Sequence, residues 1–324
     1  MSGLSIRSAT PHDVDTLLSL LALHPWPGRP VRGVSEGARL EYRQNAYRSY
    51  APVFGSVPYV DGWVGLQGET ARGFMVLLND MTDSITGDPQ SQILDFAVPD
   101  DACLDALLDK ALPEARRKSA DYVVVELGVD DPEAERLQRH GFIHESTRIA
   151  RRMTCEPSDE VRRSMEAYRV RPGNASDLMF VTWLSTVSSQ NLAPAGRTAD
   201  SLTVRTRFVD CYLNSNVTGA DDVKTLICER LSDDEQVGYL LLKFMTDEVT
   251  GEKLGYCYDI AVKPEDWGSG VSQYLSHAGE KLFADLGVHV CIGDISAANP
   301  RPLIWATRHL GYDIESRKWA RRLS

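Results

Sequence analysis

Apolar and polar positions along this 324-residue chain fall into two successive series that predict the same elements twice. Residues 4–9 read as a short strand. Thr10-Pro11 with Asp13 then opens a helix carried by Leu17, Leu18 and Leu21, with a capping residue ahead of it and proline in its first turn. Residues 24–33 are dense in proline and glycine and predict a loop, and residues 36–50 resume a charged helical pattern. Strands are expected at 59–66, 72–79 and 92–98; the turns between them, Thr86-Gly87-Asp88-Pro89 the clearest, are short enough to favour antiparallel pairing. The spacing of Leu104, Leu107, Leu108 and Ala111 predicts a helix over 102–118, followed by a buried strand at 122–127 and a helix at 132–139 stopped by Gly141. The second series has a strand at 168–171, helices at 175–187 and 199–213, and strands at 224–229, 237–245 and 256–262. Helix, strand, helix and strand then follow.

Residue identities repeat as well as patterns. Met81-Thr82-Asp83, Thr86-Gly87, Asp95 and Ala97-Val98 recur as Met245-Thr246-Asp247, Thr250-Gly251, Asp259 and Ala261-Val262, an offset of 164 that also matches Ile6-Arg7 to Val170-Arg171 and Asp13 to Asp177. Gly141-Phe142 and Ala150-Arg151-Arg152 match Gly311-Tyr312 and Ala320-Arg321-Arg322 at an offset of 170, so the second copy is six residues longer between Val262 and Gly311. That stretch holds Trp267-Gly268-Ser269-Gly270-Val271-Ser272, a loop the first copy does not reproduce. The expected organisation is a domain at 1–153, a charged, Pro157-containing linker with one helical turn at 154–167, and a domain at 168–324.

The formal charge of −11 sets like charge against nucleic acid or an anionic lipid surface and leaves small cationic molecules as the more natural partners. Cys103, Cys155, Cys211, Cys228, Cys257 and Cys291 form no C-x-x-C pair and no metal-ligand spacing with histidine, which predicts reduced, packed thiols, no metal site and a cytoplasmic protein. No basic start with an apolar run and no apolar stretch of roughly 18 residues is found, so neither a signal peptide nor a membrane span is expected.

Val262-Lys263-Pro264 ends a strand, the glycine loop follows, and Val271, Leu275, Ala278, Leu282, Phe283 and Leu286 mark an amphipathic helix closed by Gly287. Strand, glycine loop and helix make an anion site: glycines let the backbone turn its N–H groups inward, and the helix start adds partial positive charge. The alternative is a tight turn with no ligand. In the first copy the corresponding stretch is Pro99-Asp100-Asp101-Ala102-Cys103, whose carboxylates would repel a diphosphate and which lacks glycine. That half is expected to be a structural partner that forms one wall of a cleft.

Val262, Pro264, Trp267, Gly268, Gly270, Val271, Ser272 and Leu275 resemble the V-x-P-x-x-[RQ]-G-x-G-[IV]-[GA]-x-x-L pattern of the GNAT superfamily of acyl-CoA-dependent acyltransferases. Trp267 stands where that family has Arg or Gln, and Ser272 where it has Gly or Ala. Tyr258-Asp259-Ile260-Ala261-Val262 is similar to the family's acid-containing fourth strand. Asn299 with Leu310-Gly311-Tyr312 is similar to its N-x-x-A…L-G-F segment, one residue longer, and Thr307 occupies the place of the family's tyrosine acid. The resemblance covers nearly all of 168–324 and, through the repeat, extends more weakly to 4–153. It implies an α+β fold of two tandem domains, each a mostly antiparallel twisted sheet flanked by helices, an arrangement known in mycothiol synthase-like acetyltransferases. It also implies acetyl-CoA or another acyl-CoA as co-substrate, held by Ile260, Ala261, Val262, Trp267, Gly268, Ser269, Gly270, Val271, Ser272 and Asn299. The acyl group would move to a primary amine of a small, cationic molecule, with Asp259, Tyr256 and Thr307 as the catalytic candidates.

Each of these residues has an ordinary reading too. Asp259 recurs as Asp95 in the half expected not to bind, which favours backbone hydrogen bonding at a strand bulge over proton transfer. Tyr256 as a base needs a strongly lowered pKa. Tyr274 and Tyr312 are other hydroxyl candidates, and His277 and His309 sit among apolar neighbours, as packed histidines do. Trp267 stacks on adenine or shields pantetheine, or sits at a domain contact; Asn299 bonds the co-substrate or caps the helix before Pro300. The segment with Trp26 and its counterpart at 188–196 with Asn191 are expected to line the acceptor pocket.

Other classes fit less well. Gly268, Gly270 and Gln273 fail G-x-G-x-x-G, Ser269 and Ser272 lack a G-x-S-x-G frame, and no Walker loop occurs. Amide synthesis from aminoacyl-tRNA calls for a basic stripe that this chain lacks. The rival is a non-catalytic tandem scaffold that binds CoA or a protein.

Overall fold

The computed structural model describes residues 3–23, 34–50, 53–54, 56–153, 156–197, 200–216, 222–247 and 250–323. The segment with Trp26 and the side chain of Asn191 lie outside the described residues. The chain forms two compact units, one of residues 1–145 and 315–324, the other of residues 146–314.

Unit 1 is built on strands β1 (Leu4–Ser8), β2 (Val60–Gln67), β3 (Thr70–Thr82), β4 (Pro89–Ala97) and β5 (Tyr122–Gly128), followed by β12 (Asp313–Arg322), in that order across the sheet. All neighbours are antiparallel except β4 and β5. Alternation on β3 decides which helix packs where. Met75 and Leu77 meet α3 (Asp101–Arg117) through Leu104, Leu107 and Leu108, while Phe74 and Val76 meet Leu17 and Leu21 of α1 (Val14–Leu23) and Tyr47 of α2 (Glu36–Tyr50).

Unit 2 repeats the plan with strands in the order β6 (Ile143–Arg152), β11 (Val290–Ser296), β10 (Lys253–Val262), β9 (Gln236–Thr246), β8 (Val223–Arg230) and β7 (Tyr168–Pro172). Only β10 and β11 are parallel. On β9, Leu240 and Leu242 pack with Val271, Leu275 and Phe283 of α8 (Val271–Asp285). Tyr239 and Leu241 face Val181 and Leu184 of α6 (Leu178–Leu192) and Val204 of α7 (Ser201–Asn216). The α+β class with two tandem, mostly antiparallel domains is thus the observed one.

The repeated residues mostly build turns and caps. Asp83 accepts from the amides of Ile85 (3.0 Å) and Thr86 (2.9 Å) in the β3–β4 hairpin, as Asp247 accepts from Thr250 (2.8 Å) between β9 and β10. Asp13 takes the Thr10 amide and Arg7, and Asp177 takes the Asn174 amide and Arg171, each closing a strand-to-helix corner. The chain is continuous where the units are not. β6, which ends the first copy, pairs with β11 in unit 2, and β12, which ends the second, pairs with β5 in unit 1. The stretch expected as a linker contains helix α5 (Asp159–Ala167), capped by Ser158 on the Val161 amide (3.2 Å) and burying Val161 and Ser164.

Candidate functional site

Parallel pairing of β10 with β11 runs only from Leu254 opposite Val290 to Cys257 opposite Gly293. A bulge at Tyr258 then turns β10 out of register with β9, and β10 continues to Val262 with β9 as its one strand partner while β11 stays paired to β6. A wedge therefore opens between β10 and β11 within unit 2. Unit 1 has the same feature after Ile93 and Val125, with its own bulge at Leu94.

The glycine loop stands at the end of β10. A 3-10 turn at Pro264–Asp266 leads to Trp267, Gly268 at φ 81° and Gly270 at φ 85°, after which α8 begins. Both glycines lie in the left-handed region where a Cβ strains the backbone. No side chain caps α8, and the amides of Gly268, Gly270, Val271, Ser272 and Gln273 have no acceptor among the described residues. Asp266 anchors the loop: it is buried, accepts from both sides of its carboxylate from Arg230 Nη2 (3.0 and 2.8 Å) and takes the Tyr168 hydroxyl (3.1 Å). The Ser269 hydroxyl donates to the Asp266 carbonyl (2.5 Å). Trp267 is 65 % exposed, and its indole N–H donates to the Val262 carbonyl (2.8 Å) at the strand end.

The matching corner of unit 1 is chemically closed. Asp100 caps α3 by accepting from the Cys103 amide (2.9 Å), and Asp101 is paired with Arg136 (2.6 Å) and Arg139 (2.7 Å). A carboxylate caps the Cys103 amide at one helix start, and no side chain caps the other.

Asp259, 4 % exposed at the bulge, accepts from the Tyr239 hydroxyl and the Ile260 amide, and burial pushes its pKa up to about 6. Asp95 holds the same place in unit 1 but is clamped by Arg43 (2.5 and 2.8 Å) and accepts from the Phe96 amide (2.8 Å); burial pushes it up as well, against the pull of Arg43. The backbone role expected for both acids is present in each. Asp95 has both Arg43 and the Tyr47 hydroxyl beside it; what distinguishes Asp259 is a tyrosine with no arginine among the described residues.

The hydroxyl candidates are engaged. Tyr256 donates to Asp294 (2.9 Å), which Arg148 also grips (2.9 and 2.8 Å), and burial with that carboxylate raises its pKa far above the ordinary tyrosine range. Thr307, on α9 (Pro300–His309), is back-bonded to the Leu303 carbonyl (2.9 Å). Burial raises the pKa of both Tyr274 and Tyr312. Burial lowers the pKa of His277. Asn299 stands at the N-cap of α9 without capping it, and its carboxamide has no partner among the described residues. Of the expected binding residues, Ile260, Ala261 and Val262 lie along the unpaired run of β10, and Trp267 to Ser272 form the loop and the first turn of α8. Sequence reasoning missed Arg230 and Tyr168, the anchors of Asp266, and Ser164; no local pattern marks a residue whose role is a contact made far along the chain.

Among the described residues no helix is long and apolar enough to cross a membrane, and no group of three or more His, Cys, Asp or Glu side chains is placed to hold a metal ion. No family model and no curated protein matches the sequence. Solved structures do match in fold. A tandem GNAT protein from the clavulanic acid biosynthesis pathway, without AcCoA, is 14 % identical over 99 % of both chains with a TM-score of 0.50. A GCN5-related N-acetyltransferase from Sphaerobacter thermophilus is 13 % identical over 99 % of this chain and 96 % of that one, with a TM-score of 0.57. A fungal multi-domain GH3 β-N-acetylglucosaminidase with a GCN5-related glucosamine N-acetyltransferase region is 14 % identical over 99 % of this chain and 38 % of that one, with a TM-score of 0.56. The chain has the tandem fold of the GCN5-related N-acetyltransferases, and at these identities the likeness is one of fold.

Proposed function

We propose that unit 2 is an N-acyltransferase that binds acetyl-CoA or a related acyl-CoA and passes the acyl group to a primary amine of a small molecule. One observation carries the reading: five main-chain amides without acceptors among the described residues lie at the uncapped head of α8, beside a wedge in the sheet, while at the equivalent corner of unit 1 the carboxylate of Asp100 caps the helix. Those amides supply donors and the helix start supplies partial positive charge, so a diphosphate is held without a lysine or arginine in the loop. The unpaired edge of β10 offers amides and carbonyls to an extended, amide-containing arm, and the free carboxamide of Asn299 is available to the same arm.

In this reading the amine attacks the thioester carbonyl directly, and catalysis rests on positioning the two reactants and on a β10 amide that faces the developing oxyanion. Asp259 is the group suited to accept the proton lost by the amine, directly or through water, because its pKa of about 6 leaves it ionised yet basic near neutrality. Tyr256 is unsuited to that role, since its proton is held more tightly than in free tyrosine. A second reading, a CoA-binding or interaction scaffold without turnover, is favoured by one observation: the hydroxyls of Tyr256 and Thr307, two of the expected catalytic groups, donate to Asp294 and to the Leu303 carbonyl and so are not turned to a departing thiolate.

Calorimetric titration with acetyl-CoA tests the site, and thiol release in the presence of a panel of primary amines tests turnover. Binding with release supports the transferase, binding without release supports the CoA-binding scaffold, and no binding refutes the loop as a CoA site and leaves the interaction scaffold.

A further inference from the structure

Helix α5 comes from the segment between the two copies, yet it packs on the glycine loop. Ser164 is 3 % exposed, and its hydroxyl hydrogen is shared between the Glu160 carbonyl of its own helix (3.0 Å) and the Ser269 carbonyl of the loop (3.3 Å). Gly270 faces it so closely that a Cβ at that position would collide with Ser164 Oγ. Among the described residues, Ser164 is the side chain from outside the loop that bonds the main chain between Trp267 and Gly270. The start of the loop is fixed separately, through Asp266, Arg230 and Tyr168. Beside the contact lies a cavity of about 230 Å³ lined by Glu160, Arg163, Ser164, Tyr168, Gly268 and Ser269.

We propose that Ser164 is a positioning residue that holds the Ser269–Gly270 peptide in the conformation that turns the loop amides together, so that the connector between the copies forms part of the donor site. The proposal rests on the reading of this loop as a diphosphate cradle. Its physical basis is entropic. Two glycines in the left-handed region have more alternative conformations to lose than any other residues, and a loop ordered before the ligand arrives does not charge that ordering to the binding step. Gly270 is required twice, by its positive φ and by the hydroxyl packed against it. Ser164 touches no reacting atom in this account; it acts through the loop.

The test uses the full chain with Ser164→Ala and Ser164→Val. Without ligand, hydrogen exchange is followed at the amides of Ser269 and Tyr274, which are bonded to Asp266 and to Gly270. Exchange at both is expected to quicken by about tenfold in Ser164→Ala, the loss of one modest hydrogen bond. With ligand, the Kd for acetyl-CoA by calorimetry is expected to rise by roughly fivefold in Ser164→Ala and by more than about tenfold in Ser164→Val, whose added methyl meets Gly270, while the binding stoichiometry stays at the wild-type value. A purely structural serine would instead lower the melting temperature and the fraction of protein that binds, hence the stoichiometry, and leave the Kd where it was. Unchanged exchange in Ser164→Ala overturns the clamp whatever the ligand result. If the wild-type protein itself takes no acyl-CoA, the reading of the loop fails and takes the donor half of the proposal with it.

Discussion

Gly268 offers a clean separation of charge from shape. Nothing lies within 4 Å of the place where its Cβ would stand, and its φ of 81° is one that Asn and Asp tolerate better than other side chains do. Gly268→Asn and Gly268→Asp therefore impose nearly the same backbone strain and the same bulk and differ by one negative charge. Taking a diphosphate with two charges about 6 Å from the new carboxylate and the dielectric constant of water, the repulsion is about 1.4 kcal/mol, a tenfold loss of affinity. At 0.1 M salt the Debye length of about 10 Å reduces this to about 0.8 kcal/mol, close to fourfold. Calorimetry with acetyl-CoA at low and at moderate salt is the assay. The Asp variant should bind about tenfold more weakly than the Asn variant at low salt, and the gap should narrow as salt rises. Equal affinities for the two variants at low salt would refute the cradle, because no diphosphate held by these amides could ignore a carboxylate placed among them.

Burial that raises Asp259 from about 4 to about 6 costs the fold up to about 3 kcal/mol once the carboxylate must ionise. Between those values the native state holds more protons than the unfolded chain, so stability falls as pH rises. Asp259→Asn should exceed the wild type in denaturant unfolding at pH 8 and match it below about pH 4; the reverse trend would mean that an ionised Asp259 is stabilised by its partners. If Asp259 also serves as base, acyl transfer by the wild type should climb with pH through an apparent pKa near 6, and Asp259→Asn should lose that limb. Trp319, buried in the core of unit 1 although it lies near the end of the chain, should cost about 3–5 kcal/mol when cut to Ala, seen as a lowered unfolding midpoint. Glu160 has its Cγ 3.6 Å from where a Gly270 Cβ would sit, so Glu160→Gln should tighten acyl-CoA binding by about threefold at low salt and leave it unchanged at high salt.

Much of the architecture was legible because it follows from short-range rules. Alternation on β3 and β9, the cap at Ser158 and the Asp-Thr-Gly hairpins each depend on residues a few positions apart. The recurrence of Asp13 as Asp177 and of Asp83 as Asp247 told of a duplicated fold, and those residues turn out to serve corners and turns. The informative position was the one where the copies disagree: Asp100 caps its helix, and Gly270 leaves its helix open. Asp95 and Asp259 look identical in sequence and differ in the arginine that reaches Asp95 from a distant element and has no equivalent at Asp259 among the described residues.

By itself, then, the sequence determined two α+β repeats, a glycine loop in the second alone, and a net charge of −11, since period, turn chemistry and charge need only the order and identity of the residues. Tertiary structure decided which strands close each sheet, with β12 completed against β5 and β6 against β11, and it decided that α5 packs on the loop through Ser164. Pairing of this kind joins positions more than a hundred residues apart, where many partners satisfy the same local pattern. Only the mutual packing of the assembled layers selects among them.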